Sequence, residues 1–352
     1  MGVLLCGYYG QNNGGDEALL ATLLQMLPPG VTPIVLSGNP SQTRDRYGVA
    51  ALPRKNPRAL LQALPKARAL ILGGGSLMQD STSTASLLYY GGLLAAAQSL
   101  GVPTIAWAQG IGPLNRPWSR WITRRLFRRC QGVTVRDGRS AQLLRQWGIP
   151  HQEAPDPVWA LAPLDPITPL PWQMGQPAPL ILNLRLHPSL TDAWLETLTQ
   201  ACCQFQALTG APVGLLPFQP ERDRPPLEQV AQRLPGTYHW LNYSHPQHFK
   251  AVFGGVGLTV AMRLHGLIMA AGEGSPCYAL SYDPKVTALQ EAVGLPGYPL
   301  GQPPPASQDL CRDWVQLYQE GQGTEPRMRQ SLGHRALVHQ EMLHRLLGSS
   351  RA

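Results

Sequence analysis

Short apolar runs alternate with amphipathic stretches along most of this chain. Residues 2–6 are the first such run and predict a buried strand. A loop rich in glycine and asparagine follows at 7–15. Residues 16–27 then place Leu19, Leu20, Leu23, Leu24 and Leu27 on one face, the spacing of a helix that covers a core. Asp16 and Glu17 stand in its first turn, where carboxylates suit the positive end of the helix dipole. Pro28, Pro29 and Gly30 stop it.

The cycle repeats. Strands are predicted at 32–36, 67–72, 102–108 and 132–136, with helices at 85–100, 117–130 and 137–147. A Pro-rich stretch between 154 and 179 reads as a linker. Beyond it, strands at 180–184, 213–217, 258–262 and 276–281 alternate with helices at 191–208, 227–234 and 264–271. Two further helical segments end near Leu347. Strand–loop–helix alternation of this kind builds parallel sheets covered on both faces. The expected architecture is α/β, two Rossmann-like doubly wound domains facing a cleft. We expect an N-terminal domain over 1–165, a C-terminal domain over 178–300 and C-terminal helices over 306–347.

Composition changes this picture little. At 352 residues, with 43% hydrophobic content, the chain can bury two cores. Its 36 glycines and 35 prolines lie at turns without a collagen-like period. The six cysteines form no CxxC pair and sit mostly in apolar runs, which reads as reduced thiols in a cytosolic protein without a structural metal. No signal peptide and no membrane-spanning run is expected.

The formal charge of +8 suits an anionic partner. Zinc-finger spacing, RNP-like strands and basic tails are missing, so nucleic acid is not expected. The segment 116–129 carries Arg116, Arg120, Arg124, Arg125, Arg128 and Arg129, with Trp118, Trp121, Ile122 and Leu126 spaced to share a face. Such a helix suits peripheral contact with an anionic membrane, although a solvated face over a packed one is the commoner explanation.

Candidate chemistry concentrates at strand ends. Arg263 and His265 follow the 258–262 strand into what reads as a helix N-terminus, which favours anions. Lys285 follows the next strand, and Arg136 ends the 132–136 strand. Singly, each reads as a surface cation or a core histidine; together they describe a site for a small, strongly anionic substrate. The 7–15 loop lacks both the GxGxxG and the GK[ST] spacing, so neither NAD nor ATP is expected. It does gather Asn12, Asn13, Asp16 and Glu17. The second loop, Gly73-Gly74-Gly75-Ser76, spends backbone entropy that only close approach or unusual dihedrals justify. Ser76, Gln79 and Asp80 there suit hydroxyl recognition.

These segments together resemble the polysaccharide pyruvyl transferase family, CsaB type. The resemblance rests on Gly7–Glu17, Leu72–Asp80 with the following Ser-Thr-Ser-Thr and Tyr89-Tyr90, Ala108-Gln-Gly-Ile-Gly-Pro113, Val135-Arg-Asp137, Ala154-Pro-Asp-Pro157, Arg263-Leu-His265 and Ser281–Val286, in the family's order. It implies a GT-B-like fold and transfer of the enolpyruvyl group of phosphoenolpyruvate to two hydroxyls of a glycan sugar, with a pyruvate ketal and phosphate as products. It implies Arg136, Arg263, His265 and Lys285 as donor-binding residues. Arg136 would clamp the carboxylate, and Arg263 and Lys285 would stabilise the leaving phosphate. His265 is the candidate acid, or alternatively a phosphate ligand. Asp16 or Glu17 would deprotonate the attacking hydroxyl. Asn12, Asn13, Glu17, Gly74, Gly75, Ser76, Gln79 and Asp80 form the expected acceptor side. No metal or organic cofactor is required. The acceptor is a glycan or lipid-linked saccharide, met in the cytoplasm at the inner face of the membrane. Two rival functions remain: a nucleotide-sugar glycosyltransferase of the same fold, with Glu273 as a ribose ligand, and a non-catalytic sugar- or phosphate-binding protein.

Overall fold

A computed structural model of the chain describes residues 2–81, 83–164, 172 and 175–348. Thr82, within the Ser-Thr-Ser-Thr motif, and residues 165–171 and 173–174 of the expected linker lie outside the described residues. The chain divides into two compact units, Met1–Leu161 with Leu332–Ala352, and Ala162–Ser331.

In the first unit, β1 (Val3–Cys6), α1 (Gly14–Met26), β2 (Pro33–Ser37), α2 (Pro40–Tyr47), β3 (Ala50–Pro53) and α3 (Pro57–Ala63) form one half. The other half is β4 (Ala69–Leu72), α4 (Thr84–Ser99), β5 (Thr104–Gln109), α5 (Pro117–Phe127), β6 (Gly132–Val135), α6 (Gly138–Gln146) and β7 (Gln152–Glu153). The strands pair in parallel in the order β3-β2-β1-β4-β5-β6-β7. The order reverses between β1 and β4, so the loops leaving these strands splay apart and open a crevice at their carboxyl ends. Those loops are the two glycine-rich ones.

The second unit repeats the plan. It contains β8 (Leu180–Asn183), α7 (Asp192–Thr209), β9 (Val213–Leu215), α8 (Pro220–Ala231), β10 (Tyr238–Trp240) and α9 (Pro246–Phe253). It continues with β11 (Leu258–Ala261), α10 (Leu264–Glu273), β12 (Cys277–Ser281), α11 (Pro284–Val293), β13 (Gly297–Pro299) and α12 (Ser307–Glu320). The strand order is β10-β9-β8-β11-β12-β13, again all parallel. Its switch point lies between β8 and β11, where Arg263 and His265 leave the sheet.

The central strands are apolar throughout because both their faces are covered. Val3, Leu4, Leu5 and Cys6 are all buried, as are Leu180, Ile181, Leu182 and Asn183. The elements that the apolar pattern did not announce lie at the margins. In α2 only Thr43 is buried; β3 is a short edge strand that buries only Ala51, and β10 is a short edge strand with exposed or half-buried residues. α8 begins at Pro220, earlier than its apolar residues suggest, and accommodates Pro225 and Pro226.

Three helices, not two, close the chain. α12 packs on α7 in the second unit and buries Trp314. The unit boundary falls within α13 (Pro326–Ala336). α14 (Val338–Leu347) packs in the first unit, where Met342, Leu343 and Leu347 join the core around Trp107. A side chain at Gly132 would press on the ends of Met342 and Leu346 of this helix, so α14 packs closely over β6 there.

α5 turns Ser119, Thr123, Leu126 and Phe127 inward. Trp118 and Trp121 point outward instead, 38% and 61% exposed. The expected shared face is therefore split: Leu126 packs on the core while both indoles lie on the solvent side with Arg124, Arg125 and Arg128.

His339 of α14 is fully buried. Ala108 N–H donates to Thr134 Oγ1 at 2.8 Å, Thr134 Oγ1 lies 2.8 Å from His339 Nδ1, and His339 Nε2 lies 2.9 Å from the Pro155 carbonyl. The carbonyl can only accept, so Nε2 carries the proton and Nδ1 accepts from Thr134. Burial lowers the His339 pKa from 6.5 to about 4, opposed in part by the Pro155 carbonyl and Asp156. The unfolded chain therefore takes up a proton that the folded one refuses as pH falls from 6.5 towards 4, and stability is lost across that window, by up to about 3 kcal/mol. Thermal unfolding measured between pH 7.5 and 4 is expected to show a smaller drop for His339→Gln than for the wild type. An unchanged slope would remove His339 from the account.

Candidate active site

At the first unit's switch point, α1 begins where the loop after β1 closes on itself. Asn13 caps the helix by accepting from Gly15 N–H, and its amide donates to Asp16 Oδ2 at 2.5 Å. Asn12 takes a left-handed backbone with φ +51°, one of the few conformations that turn the chain this sharply, and asparagine tolerates it well. Asp16 is half-buried beside the second loop, its Oδ1 3.6 Å from where a Cβ on Gly75 would stand.

Glu17 has a different task from the expected one. It is buried, its Oε1 accepts from Gly10 N–H at 2.8 Å, and its Oε2 meets Tyr47 OH at 2.7 Å and Arg46 at 3.0 Å. It anchors the loop to α2 and is not presented to a ligand. Asp80 is corrected in the same way. Its two oxygens accept from the N–H groups of Asn115 and Arg116 at 2.7 and 2.9 Å, which fixes the chain entering α5. Burial pushes its pKa up, but these two N–H groups, the Ser119 hydroxyl and the Arg116 charge together hold it below the usual carboxylate range. Gln79 accepts from the N–H and hydroxyl of Ser81.

Each glycine of the second loop has a steric reason. A Cβ on Gly73 would lie 1.8 Å from Tyr9 OH, and one on Gly74 would lie 2.9 Å from Leu19. Gly75 has φ +119° and pairs with Gln109, while its carbonyl accepts from Gly110 N–H. Gln109 holds the loop from beneath, its Nε2 reaching the carbonyls of Leu72, Gly73 and Trp107. Ala108 has φ +49°, a strained value for a residue with a Cβ. Sequence reasoning quoted Gln109 only as part of a motif. Its role appears only when β4 and β5 are paired.

Ser76, Arg136 and Asp137 converge on Gly110, with Ser76 Oγ 2.8 Å and Arg136 Nε 3.5 Å from a Cβ built there. Arg136 pairs with Asp156 Oδ2 at 2.5 Å, both side chains buried. Asp137, its neighbour in sequence, instead caps α6 by accepting from the N–H and hydroxyl of Ser140.

At the second unit's switch point, Arg263 is the N-cap of α10 and no side chain caps that helix. Its guanidinium is buried against Asp223 Oδ1 and also meets Gln219. The other oxygen of Asp223 accepts from Phe218 and Gln219 N–H, both at 2.8 Å. The first turn of α10 packs tightly on β8, because a Cβ on Gly266 would lie 2.8 Å from Asn183 Oδ1. His265 lies half-buried in that turn. Lys285 is half-buried in the first turn of α11, which Asp283 caps by accepting from Lys285 N–H.

Sequence reasoning missed the other side of this switch point. Arg185 and His187 follow β8 directly. Arg185 N–H donates to Met262 Sδ, and its Nη1 donates to Tyr282 OH at 3.2 Å. Its Nε is buried and, among the described residues, has no hydrogen-bond partner. His187 lies against Tyr282 in a tilted arrangement, ring centroids 4.7 Å apart and planes at 54°. Burial, and then the Arg185 charge, lower the His187 pKa, with Asp283 opposing, so this imidazole is neutral at pH 7. The Leu184-Arg-Leu-His187 stretch has the same strand-to-Arg-x-His form as Met262-Arg-Leu-His265, which was the available signal.

Glu273 is the last residue of α10 and lies 3.6 Å from the buried Lys250. A helix that follows a parallel strand runs back along the sheet, which places Glu273 towards the amino ends of the strands, about 13 Å along the helix from Arg263's end. It is therefore not placed as the ribose ligand that the glycosyltransferase alternative required.

Removing Asp223 leaves the Arg263 charge buried without its counter-ion. Asp223→Ala is expected to lower unfolding free energy by about 3–5 kcal/mol, read from denaturant unfolding. A loss below about 1 kcal/mol would show that this pair does not hold the switch-point loop.

Comparison with solved structures supports the fold reading. UDP-GlcNAc 2-epimerase from Neisseria meningitidis, solved bound to UDP-GlcNAc, matches with a TM-score of 0.65 at 14% identity, covering 98% of this chain and 100% of that one. A putative UDP-N-acetylglucosamine 2-epimerase from Listeria monocytogenes matches at 0.67 and 11% identity, covering 99% and 97%. MurG of Acinetobacter baumannii matches at 0.51 and 12% identity, covering 99% of both chains. At these identities the likeness shows the fold alone: two Rossmann-like units of the GT-B type. No curated protein matches by sequence. The polysaccharide pyruvyl transferase family model matches residues 13–284, most of the chain and nearly all the switch-point residues described above. The chain belongs to the polysaccharide pyruvyl transferase family.

Proposed function

We propose that this protein transfers the enolpyruvyl unit of phosphoenolpyruvate to two hydroxyls of one glycan sugar, forming a cyclic pyruvate ketal and releasing phosphate. The observation that carries the reading, beside family membership, is the second unit's switch point. There Arg263 and His265 stand at the N-terminus of α10, which has no side-chain cap among the described residues, and Arg185 leaves the neighbouring strand towards Tyr282, a setting that favours a phosphate or carboxylate.

The methylene carbon of the donor takes a proton and becomes the ketal methyl group, leaving an oxocarbenium-like centre at the adjacent carbon. One sugar hydroxyl adds there and loses its proton. The carbon–oxygen bond to phosphate breaks, and the second hydroxyl closes the ring and loses its proton. Of the two hydroxyl protons, one balances the proton taken by the methylene and the other leaves with phosphate. His265 is assigned as the acid, with phosphate ligation as the alternative role. Arg263 and Lys285 stabilise the departing phosphate, and Arg136 is assigned to the donor carboxylate. Arg185 joins the donor side because its guanidinium meets the Tyr282 hydroxyl and, among the described residues, no carboxylate within 4 Å. Asp16, held by Asn13, is the base for the attacking hydroxyl. Asn12, Asn13, Gly74, Gly75, Ser76 and Gln79 frame the acceptor side. No metal or organic cofactor takes part in this scheme.

The test is phosphate release from phosphoenolpyruvate with a panel of sugar acceptors, with the ketal identified by mass spectrometry. His265→Gln and Asp16→Asn are expected to lower kcat by about 10²–10⁴-fold. Arg185→Gln and Arg136→Gln are expected to act mainly on KM for phosphoenolpyruvate. Turnover of a UDP-sugar with no response to phosphoenolpyruvate would replace this reading with the glycosyltransferase one. Phosphoenolpyruvate binding without phosphate release would leave a binding protein.

We propose that the reaction takes place in the cytoplasm, at an anionic membrane surface. Among the described residues no helix is long and apolar enough to cross a membrane. The outer face of α5 nevertheless presents Trp118 and Trp121, with Arg116 over one indole and Arg125 over the other. Indoles flanked by arginines suit the headgroup layer of an anionic bilayer. Co-sedimentation with phosphatidylglycerol-containing vesicles is expected, with loss in Trp118→Ala/Trp121→Ala and at high salt. Equal binding to purely phosphatidylcholine vesicles, or none to either, would rule out this contact.

A further inference from the structure

The carboxyl edge of the first unit's sheet holds a buried cation that neither the motifs nor the proposed chemistry uses. Arg54 follows β3 directly and is 9% exposed. Its backbone is fixed on both sides: its N–H donates to the Ser37 carbonyl at 2.9 Å, and its carbonyl accepts from Tyr89 OH at 2.7 Å. Its Nη2 donates to Tyr90 OH at 3.0 Å. The rings of Tyr89, Tyr8 and Tyr90 stand 4.9, 5.5 and 5.5 Å from the guanidinium carbon. Three elements therefore converge on one guanidinium: the loop after β1, the end of β3 and the second turn of α4.

The charge balance sets this arginine apart. The buried guanidiniums of Arg46, Arg136 and Arg263 each meet a buried carboxylate, Glu17, Asp156 and Asp223. Arg54 meets none within 4 Å among the described residues, and its Nε is buried without a hydrogen-bond partner. Tyrosine faces offset part of the cost of burying a cation, but they accept no hydrogen bond in the plane of the fork. A planar fork left with donor capacity suits an oxyanion.

Tyr8 supplies the other half of a sugar site. It is 37% exposed, on the glycine-rich loop that leads into α1 and Asp16, and an exposed ring at a ligand edge offers a face on which a pyranose can stack. The glycines let the loops pack closely at this edge: a Cβ on Gly10 would collide with Ser37 Oγ, and one on Gly73 with Tyr9 OH.

We propose that Arg54, caged by Tyr8, Tyr89 and Tyr90, is a subsite for an anionic sugar, pairing with a phosphate or carboxylate that the sugar carries while Tyr8 stacks on its ring. This deepens the proposed function by naming the acceptor as anionic, and rests on that reading only for the word acceptor. The site itself stands on the first unit's geometry.

The experiment is equilibrium binding by calorimetry at low salt, with glucose 1-phosphate, glucuronate and methyl glucoside as probes. Wild type, Arg54→Gln, Arg54→Lys, Tyr8→Ala and His265→Gln are compared after their melting temperatures are checked. Binding of glucose 1-phosphate or glucuronate, with methyl glucoside at least about tenfold weaker, is expected. The preferred probe identifies phosphate or carboxylate as the group. Arg54→Gln and Tyr8→Ala should each weaken that binding, Arg54→Lys should recover part of it, and His265→Gln should leave it unchanged. Phosphoenolpyruvate affinity should be unaltered in Arg54→Gln. Absence of binding by both anionic probes, equal binding by a folded Arg54→Gln, or a parallel loss of phosphoenolpyruvate affinity would overturn the subsite. Arg54-dependent binding in a protein that ignores phosphoenolpyruvate would instead sustain the subsite and sink the pyruvyl transfer reading.

Discussion

Buried guanidinium–carboxylate pairs hold the loops on which the rest of this molecule depends. Glu17 with Arg46 and Tyr47 closes the loop after β1, Arg136 with Asp156 ties the end of β6 to the segment after β7, and Asp223 with Arg263 fixes the entry to α10. Each pair lies at the carboxyl edge of a parallel sheet, where backbone leaves the hydrogen-bonded ladder and needs other partners. A buried pair is weak evidence of net stability, yet losing one member strands the other in a low-dielectric setting. The pairs therefore act as latches. Their carboxylates also accept loop N–H groups, as Glu17 does from Gly10 and Asp223 does from Phe218 and Gln219.

Glycine completes what the latches begin. Gly73 and Gly74 let β4 run into its loop against Tyr9 and Leu19, and Gly266 lets the first turn of α10 approach Asn183. In both units the outcome is the same: a backbone turn is pressed against the neighbouring strand at the point where strand order reverses. Side chains on either flank are then brought to one edge from distant parts of the sequence. Arg185 and Arg263 are far apart along the chain but adjacent in the sheet, since β8 pairs with β11.

How much of this was legible depended on burial. Central strands such as Leu180–Asn183 and Leu258–Ala261 are covered on both faces and read as apolar runs. Edge elements such as α2 and β10 bury little and left no periodicity to read. Among site residues, Arg263 and His265 stood out because they follow an obvious strand and enter an obvious helix. Arg185 and His187 follow an equally apolar strand in the same Arg-x-His form, but they precede a loop and not a helix, so that form was their only local mark. Glu17 and Asp80 looked like ligand carboxylates because sequence shows charge without showing partners. In the fold their oxygens are occupied by Arg46 and Tyr47, and by the N–H groups of Asn115 and Arg116.

The chain's own pattern determined the class of fold, the positions of the central strands and the glycine loops that leave them, because each of these is a local consequence of hydrophobic periodicity and backbone freedom. Tertiary structure alone decided which charge met which. Arg136 passes over its neighbour Asp137, which caps α6, and pairs with Asp156 across the edge of the sheet. Arg54, unremarkable in sequence, is left among three tyrosines and, among the described residues, without a carboxylate. Pairing of buried charges is set by distance through space and by the solvation each group has lost, and neither quantity exists until the strands are placed side by side.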